Sequence, residues 1–182
     1  PLTALKKESK DGPPGVRPIA VGETLRRLVG KCSMRHDEVK DRAEGMFLPD
    51  QVGVCVKDGA TAVAHSVRIL VGELGQDENR ALLKVDFRNA FNLVSRQVFL
   101  DAVSAEFPGM VRWVRWCYST TAHLWAGDDI LRDSGGIPRG SSSGVQQGDP
   151  LGPLLFSLAL RRVTARLRAN HPDLDLSAWY LD

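Results

Sequence analysis

Two aspartates in this chain each stand directly after a short apolar run. Asp86 follows residues 81–85, of which four are apolar, and Asp182 follows residues 177–181. Such runs predict buried strands, so each carboxylate is expected at the C-terminal tip of a strand. A carboxylate in that position is costly unless it caps a helix, pairs with a cation or binds a metal ion. The plain alternative for Asp86 is that it caps the next helical turn.

The chemistry of the two aspartates depends on whether the predicted strands are neighbours. Adjacent strands would place the carboxylates of Asp86 and Asp182 side by side, where they repel each other unless a cation lies between them. Two divalent ions held there would clamp the reacting oxygens of a phosphoryl transfer. The pattern therefore makes metal-dependent phosphoryl transfer the first chemistry to consider.

Length and composition set broad limits on the kind of protein. The 182 residues fit one domain, with 43% hydrophobic residues and a net charge of +2. Cys32, Cys55 and Cys117 are far apart and odd in number, which favours a reducing intracellular compartment, without distinguishing nucleus from cytoplasm. No apolar run approaches the roughly 20 residues of a membrane span, and no signal peptide is recognised, so no membrane partner is expected. Because the chain starts without Met and stops directly after an apolar run, we expect it to be part of a longer protein.

Periodicity predicts a mixed α and β chain with too few strands for a doubly wound sheet. The expected elements are a basic mobile lead-in over residues 1–15, strands over 16–21 and 177–182, helices over 25–43, 60–74, 95–107, 111–118 and 149–170, a hairpin over 123–131 and a flexible stretch over 134–144. Asp149 is expected as the N-cap of the last helix, with Pro150 at its first position. Trp113 and Trp116 are interpreted as core residues rather than base-stacking platforms.

A basic face is expected on the first long helix. It carries Arg26, Arg27, Lys31 and Arg35 opposite an apolar stripe. Charged residues in that arrangement are either a solvated surface or a contact surface for nucleic acid. The small net charge means that any attraction for nucleic acid has to come from such a local cluster.

Four motifs, taken together in this order, resemble the reverse transcriptase domain of non-LTR (LINE-type) retrotransposons. The most specific is Gln147-Gly148-Asp149-Pro150-Leu151 within residues 144–156. The others are Arg17-Pro18-Ile19, the run Lys84-Val85-Asp86-Phe87 continued to Phe91, and Tyr180-Leu181-Asp182. The resemblance covers nearly the whole chain. It implies an α+β right-hand polymerase fold with a small antiparallel palm sheet, truncated before the thumb. The fingers portion would be residues 1–75, and the palm portion residues 76–182.

The resemblance also implies a catalytic metal site. Asp86 and Asp182 would be its catalytic carboxylates, bridging two Mg²⁺ ions (or Mn²⁺), with the backbone carbonyl of Phe87 as a further ligand. Mg²⁺ suits hard oxygen ligands and triphosphates. The implied reaction is RNA-directed DNA polymerisation, in which a primer 3′-hydroxyl is extended on an RNA template. The implied partners are therefore an RNA template, a DNA primer and deoxynucleoside triphosphates.

Nucleotide-binding roles follow from the same resemblance. Arg17 would contact the triphosphate, for which a guanidinium fork is well shaped. Gln147 and Gly148 would lie against the templating base pair, and Phe91 would exclude a ribose 2′-hydroxyl. The sequence departs from the family at Gly152, where Ser is common, and it stops before the second aspartate of the last motif.

Two other functions compete with this interpretation. An RNA-dependent RNA polymerase would use the same chemistry, but such enzymes usually carry an Asp where this chain has Phe91. A catalytically inactive, domesticated nucleic-acid-binding module would keep the basic helix face without needing Asp86 or Asp182. Retention of both carboxylates favours the enzyme.

Overall fold

The chain combines helices with short antiparallel strands, as the sequence predicts. The computed structural model describes residues 2–7, 15–20, 22–126 and 128–180, with only the backbone described at 2–7, 15–20 and 126. In these ranges the helices are α1 Thr24–Arg35, α2 Asp37–Phe47, α3 Gly59–Leu74, α4 Ala90–Leu93, α5 Arg96–Glu106, α6 Val111–Tyr118 and α7 Gly152–Asn170. The strands are β1 Leu2–Lys7, β2 Gly15–Ala20, β3 Ala122–His123, β4 Trp125–Ala126, β5 Asp129–Ile130 and β6 Gly140–Ser141.

The strands form two-stranded antiparallel pairs. β1 pairs with β2 so that Leu2 lies opposite Ala20, and β3 pairs with β6. β4 pairs with β5, which confirms the predicted hairpin apart from residue 127, which lies outside the described residues. The expectation of a mobile lead-in is wrong for β1, because pairing with β2 gives its backbone groups hydrogen-bond partners.

The core lies where α5, α6 and α7 meet. Buried side chains occupy the predicted inner faces of these helices and include Phe99, Val103, Val114, Leu154 and Leu155. α2 adds Ala43 and Phe47 to the same cluster. Helical spacing of these apolar residues gives each helix one buried stripe, which explains why the predictions for α5 and α6 are confirmed.

The longest helix, α7, begins later than predicted. Its first residue is Gly152 rather than Asp149 or Pro150, and it ends at Asn170 as expected. Most of its buried residues lie between Leu154 and Ala159, which anchors the N-terminal half of the helix in the core. No helix in the described ranges is both long and apolar enough to cross a lipid bilayer.

The predicted helix over residues 25–43 is broken into α1 and α2. His36 has an extended backbone (φ −68°, ψ 127°), which separates the two helices. The predicted apolar stripe of α1 is largely exposed, with Leu25 at 67% and Leu28 at 54% exposure. At Gly30, α1 lies close to the turn before α7, where an added Cβ would be 3.3 Å from Cβ of Pro150. A small residue at this position lets the helix approach the turn before α7.

The two strands predicted to end in aspartate do not form a sheet in the described residues. Residues 81–87 carry no strand pairing there, and Leu82, Leu83 and Val85 are 69%, 84% and 51% exposed. Residues 177–180 contribute only an isolated parallel bridge between Trp179 and Gln51. An apolar run becomes a strand only when a neighbouring edge accepts its backbone hydrogen bonds, and no described strand offers that edge to residues 81–87. These predictions are corrected for the described residues.

Candidate active site

The turn that precedes α7 is packed against the backbone of α4. The amide of Gly144 donates to the carbonyl of Val94 (2.9 Å), and the amide of Val145 donates to the carbonyl of Phe91 (2.7 Å). Gly144 has φ +67°, and a Cβ there would lie 2.3 Å from the Phe91 carbonyl oxygen. Only glycine meets both the conformation and the close approach. Two hydrogen bonds therefore fix the base of the turn.

Asp149 fastens the other end of this turn. Its Oδ1 accepts from the amide of Leu151 (2.9 Å), and its Oδ2 accepts from Nη2 of Arg26 and the hydroxyl of Tyr118, both at 2.7 Å. The side chains of Arg26 and Asp149 are only 14% and 4% exposed. Asp149 is therefore not the predicted N-cap of α7. It ties the turn to α1 and α6, because a buried carboxylate requires a charged or hydrogen-bonding partner.

Two guanidinium groups lie over the ring of Tyr118. Cζ of Arg26 is 4.9 Å and Cζ of Arg96 is 5.3 Å from the ring centroid. The Tyr118 hydroxyl also accepts a bond from the amide of Gln146 (3.3 Å). Burial and the negative charge of Asp149 raise the pKa of Tyr118 above its ordinary value, so the hydroxyl keeps its proton and remains a donor.

Arg96 holds the Ser- and Gly-rich stretch in front of the turn. It donates five hydrogen bonds, to the carbonyls of Tyr118, Thr120, Ser143 and Gly144 and to the hydroxyl of Ser141. A guanidinium has five N–H donors in a planar fork, so one side chain can bridge several loop carbonyls. The predicted flexible stretch over residues 134–144 thus includes β6 and a segment ordered by Arg96.

Gln147 and Gly148 lie at the open part of the turn. Gly148 is exposed and has φ +99°, whereas Gln147 is half-buried. Both residues sit between the points fixed by Gly144 and Asp149, so the turn presents them from a rigid base. Their predicted contact with a nucleotide stays a prediction.

Phe91 lies beside the same turn, in α4. Its ring is parallel to that of Phe156, with centroids 4.9 Å apart and an interplanar angle of 9°. Cε1 of Phe91 is 3.6 Å from the position that a Cβ on Gly152 would occupy, so glycine makes room for the ring. Phe91 is half-buried. Its ring is therefore held by packing from one side, while its role as a gate stays a prediction.

The segments that lead to the two aspartates lie next to each other. The rings of Phe87 and Trp179 are parallel, with centroids 6.2 Å apart. Arg80 also forms an ion pair with Asp175, which joins the same two segments further back. Asp86 is exposed, and Asp182 lies outside the described residues, so their separation stays untested. In the described part of the chain, no group of three or more His, Cys, Asp or Glu side chains is arranged to hold a metal ion.

The predicted basic face divides into two parts. Arg27, Lys31 and Arg35 are exposed on α1, but Arg26 is paired with Asp149 and is not part of a solvated surface. That expectation is corrected for Arg26, because its neighbour is a buried carboxylate. Arg17 lies in β2 opposite Leu5, in a strand where only the backbone is described.

Sequence reasoning missed the structural roles of Arg96, Tyr118 and the Asp149 side chain. Tyr118 sits at the end of an apolar stripe, and that position alone predicts packing rather than a hydrogen bond to a carboxylate. A usable signal was the acid of the Gly148-Asp149-Pro150 turn, next to an apolar run, since a carboxylate there requires partners. The prediction that Trp116 is a core residue is wrong, because its side chain is 65% exposed.

Comparison with known proteins gives one informative similarity. No protein-family model matches the chain. Over 187 aligned positions, the whole chain is 34% identical to the retrotransposable element SLACS 132 kDa protein of Trypanosoma brucei gambiense. The chain spans 14% of that relative's length. The chain is thus similar to one segment of a retrotransposon protein, which indicates a retroelement origin.

Proposed function

We propose that this chain is the fingers and palm portion of an RNA-directed DNA polymerase of retroelement origin. The observation that carries the proposal is the contact between Phe87 and Trp179, with ring centroids 6.2 Å apart. It joins the segment that contains Asp86 to the segment that leads to Asp182, although more than ninety residues separate them in sequence. The full-length similarity to a segment of a retrotransposon protein supports the same proposal.

The carboxylates of Asp86 and Asp182 and the carbonyl of Phe87 would hold two Mg²⁺ ions, or Mn²⁺ in their place. The Asp86 side chain is exposed and takes part in no ion pair within the described ranges, so its oxygens are accessible to a cation. Hard carboxylate and carbonyl oxygens are the ligands that Mg²⁺ prefers. Ions held by these residues would supply Lewis-acid activation of a primer 3′-hydroxyl and charge neutralisation for the leaving pyrophosphate.

Other residues of the chain would position the substrates. Arg17 would bind the triphosphate, and Gln147 and Gly148 would support the base pair between the RNA template and the incoming deoxynucleotide. The bonds that fix Gly144 and Asp149 make this turn rigid, which is what a positioning surface requires. Phe91, packed against Phe156, would limit space near the ribose.

Primer extension on an RNA template by the full-length protein tests this function. We expect Asp86→Asn and Asp182→Asn each to abolish extension while leaving binding of the primer–template duplex nearly unchanged, because each removes one charged oxygen ligand. Asp128→Asn is a matched control, since Asp128 is an exposed acid in a turn. Extension that survives Asp86→Asn would contradict the proposal. Duplex binding without extension by the unmodified protein would favour the inactive nucleic-acid-binding module instead.

A further inference from the structure

Helix α6 exposes a large aromatic surface. Trp116 is 65% exposed, and its indole stacks on that of Trp113 with centroids 5.1 Å apart and an interplanar angle of 29°. Trp113 is half-buried and packs against the core. The exposed ring is thus supported from beneath by a second ring that the core holds in place. Such an arrangement leaves a flat, rigid π-surface facing solvent.

Cations flank this surface. Arg112 and Arg115 are exposed, and neither forms an ion pair within the described ranges. Residues three and four apart on a helix are neighbours, so Arg112, Arg115 and Trp116 share one face of α6. The guanidinium groups therefore remain available to an anionic partner beside the exposed indole.

The charge of this face decides between possible partners. An apolar protein surface would leave the guanidinium groups of Arg112 and Arg115 without counter-charges, whereas the phosphates of a nucleic acid supply them. The Nε1–H of Trp113 has no acceptor among the described residues, but it is enclosed and is not available to a partner at the surface.

We propose that this face of α6, formed by Arg112, Trp113, Arg115 and Trp116, binds single-stranded nucleic acid. An unpaired base stacks on the Trp116 indole, and the flanking phosphates contact Arg112 and Arg115. Every base has a π-face, so this binding tolerates any sequence, and stacking requires the base to be free of a duplex. The surface adds a single-strand contact to the proposed function, and it does not depend on Asp86 or Asp182.

The test uses a fluorescently labelled short oligouridylate and the same strand annealed to oligoadenylate. Fluorescence anisotropy gives the dissociation constant of the chain for each. We expect the single strand to bind more tightly than the duplex, and Trp116→Ala to weaken single-strand binding by roughly ten- to a hundred-fold. Trp116→Phe keeps a ring and should retain part of the affinity. Ile69→Ala, which trims another exposed apolar residue (58% exposed), should have no effect.

The contribution of Arg112 and Arg115 is measured separately, from the salt dependence of binding. Replacing both Arg112 and Arg115 by Ala should lower the slope of log affinity against log salt by about 1.4, since each phosphate contact on a single strand contributes about 0.7. Circular dichroism and thermal unfolding of each variant check that the fold is intact, as expected for exposed residues.

Any of three results would overturn the proposal. In the first two, the unmodified chain shows no measurable binding of the oligouridylate, or it binds single strand and duplex with equal affinity. The third is a folded Trp116→Ala variant whose single-strand affinity is unchanged. If Trp116→Ala instead turned a self-associating chain into a monomer without changing oligouridylate affinity, the surface would be a protein interface. None of these results bears on Asp86, so loss of primer extension in Asp86→Asn remains a separate test of the polymerase proposal.

Discussion

The Tyr118 hydroxyl donates a 2.7 Å hydrogen bond to Oδ2 of Asp149, from a ring that is 1% exposed. Tyr118→Phe removes this donor and leaves the buried carboxylate with one partner fewer. We expect the free energy of unfolding to fall by about 1.5–3 kcal/mol, the usual range for a hydrogen bond to a charged group. Urea unfolding followed by circular dichroism measures the change. Tyr180→Phe, at a tyrosine that is 55% exposed, is the matched control and should be neutral.

The same tyrosine predicts a pH dependence of stability. Burial and Asp149 raise the pKa of Tyr118 above its ordinary value of 10.0. Below about pH 10 both folded and unfolded chains keep the proton, so the contribution of Tyr118 is fully present. Above about pH 10 the unfolded chain loses the proton first, so stability falls as the pH rises. The stability difference between wild type and Tyr118→Phe should therefore shrink above pH 10. A difference that is constant or grows there would contradict the assignment.

Arg26 and Arg27 are adjacent in sequence but differ in environment, which makes them a matched pair. Arg26→Ala removes the cation from a carboxylate that is 4% exposed, and we expect a loss of roughly 3–5 kcal/mol in unfolding free energy. Arg27→Ala trims an exposed side chain and should change stability by less than about 0.5 kcal/mol. Thermal unfolding of both variants measures the difference. If both variants lost the same unfolding free energy, the ion pair between Arg26 and Asp149 would not be a specific source of stability.

Gly144→Ala tests the close approach between the turn and α4. The new Cβ would lie 2.3 Å from the carbonyl oxygen of Phe91, at a φ of +67°. We expect a loss of more than about 2 kcal/mol in unfolding free energy, since both strain and a steric clash oppose the alanine. Gly45→Ala in α2 meets nothing within 4 Å and should stabilise the chain by about 0.5–1 kcal/mol. Denaturant unfolding of the two variants should thus give opposite signs.

The variant Phe91→Ala distinguishes a role of Phe91 in core packing from a role in selecting deoxyribonucleotides over ribonucleotides. Because the ring stacks on Phe156 but is only half-buried, its removal should cost about 2–4 kcal/mol of stability. If the ring is also the ribose gate, the full-length variant should incorporate ribonucleotides better relative to deoxyribonucleotides. The ratio of kcat/KM for the two substrates measures this. If a folded, active variant kept the same ratio of kcat/KM values, Phe91 would have a packing role only.

The exposed cations of α1 predict salt-dependent binding of nucleic acid. Phosphate contacts by Arg27, Lys31 and Arg35 release counterions, so affinity for a duplex should fall steeply as salt rises. Replacing all three by Ala should reduce the slope of log affinity against log salt by up to about 2.7. Replacing Arg162 and Arg166 on α7, which are exposed and form no ion pair within the described ranges, is a charge control. Binding that is equally strong at low and physiological salt would contradict an electrostatic contact.

The elements that could be predicted from the sequence are those with a local cause. The apolar stripe with Phe99 and Val103 predicts α5, which begins at Arg96, one residue after the expected start of the helix over residues 95–107. Residues 125–126 pair with residues 129–130 as the predicted hairpin requires, since two short apolar runs flank a predicted turn. In each case periodicity or turn chemistry within a few residues decides the structure.

The incorrect predictions depend on distant partners. Whether residues 81–87 form a strand depends on a neighbouring edge, and no local pattern reveals one. Arg26 looks like Arg27 in sequence, and only the position of Asp149, 123 residues further on, distinguishes them. The candidate site follows the same rule. The family resemblance assigns Gly148 to the site, but the support from Arg96 and Tyr118 could not be predicted from the sequence.

The anchoring of residues 141–144 by Arg96 gives one side chain a share in limiting the conformational entropy of this segment. A Gly- and Ser-rich segment loses about 1–2 kcal/mol of backbone entropy per residue when it is ordered, and it has few side-chain contacts to offset that loss. Here three hydrogen bonds from one guanidinium, to Ser141, Ser143 and Gly144, oppose that loss. The order of the segment that leads into the turn with Gln147 and Gly148 therefore depends in part on Arg96, which lies more than forty-five residues earlier than that turn in the sequence.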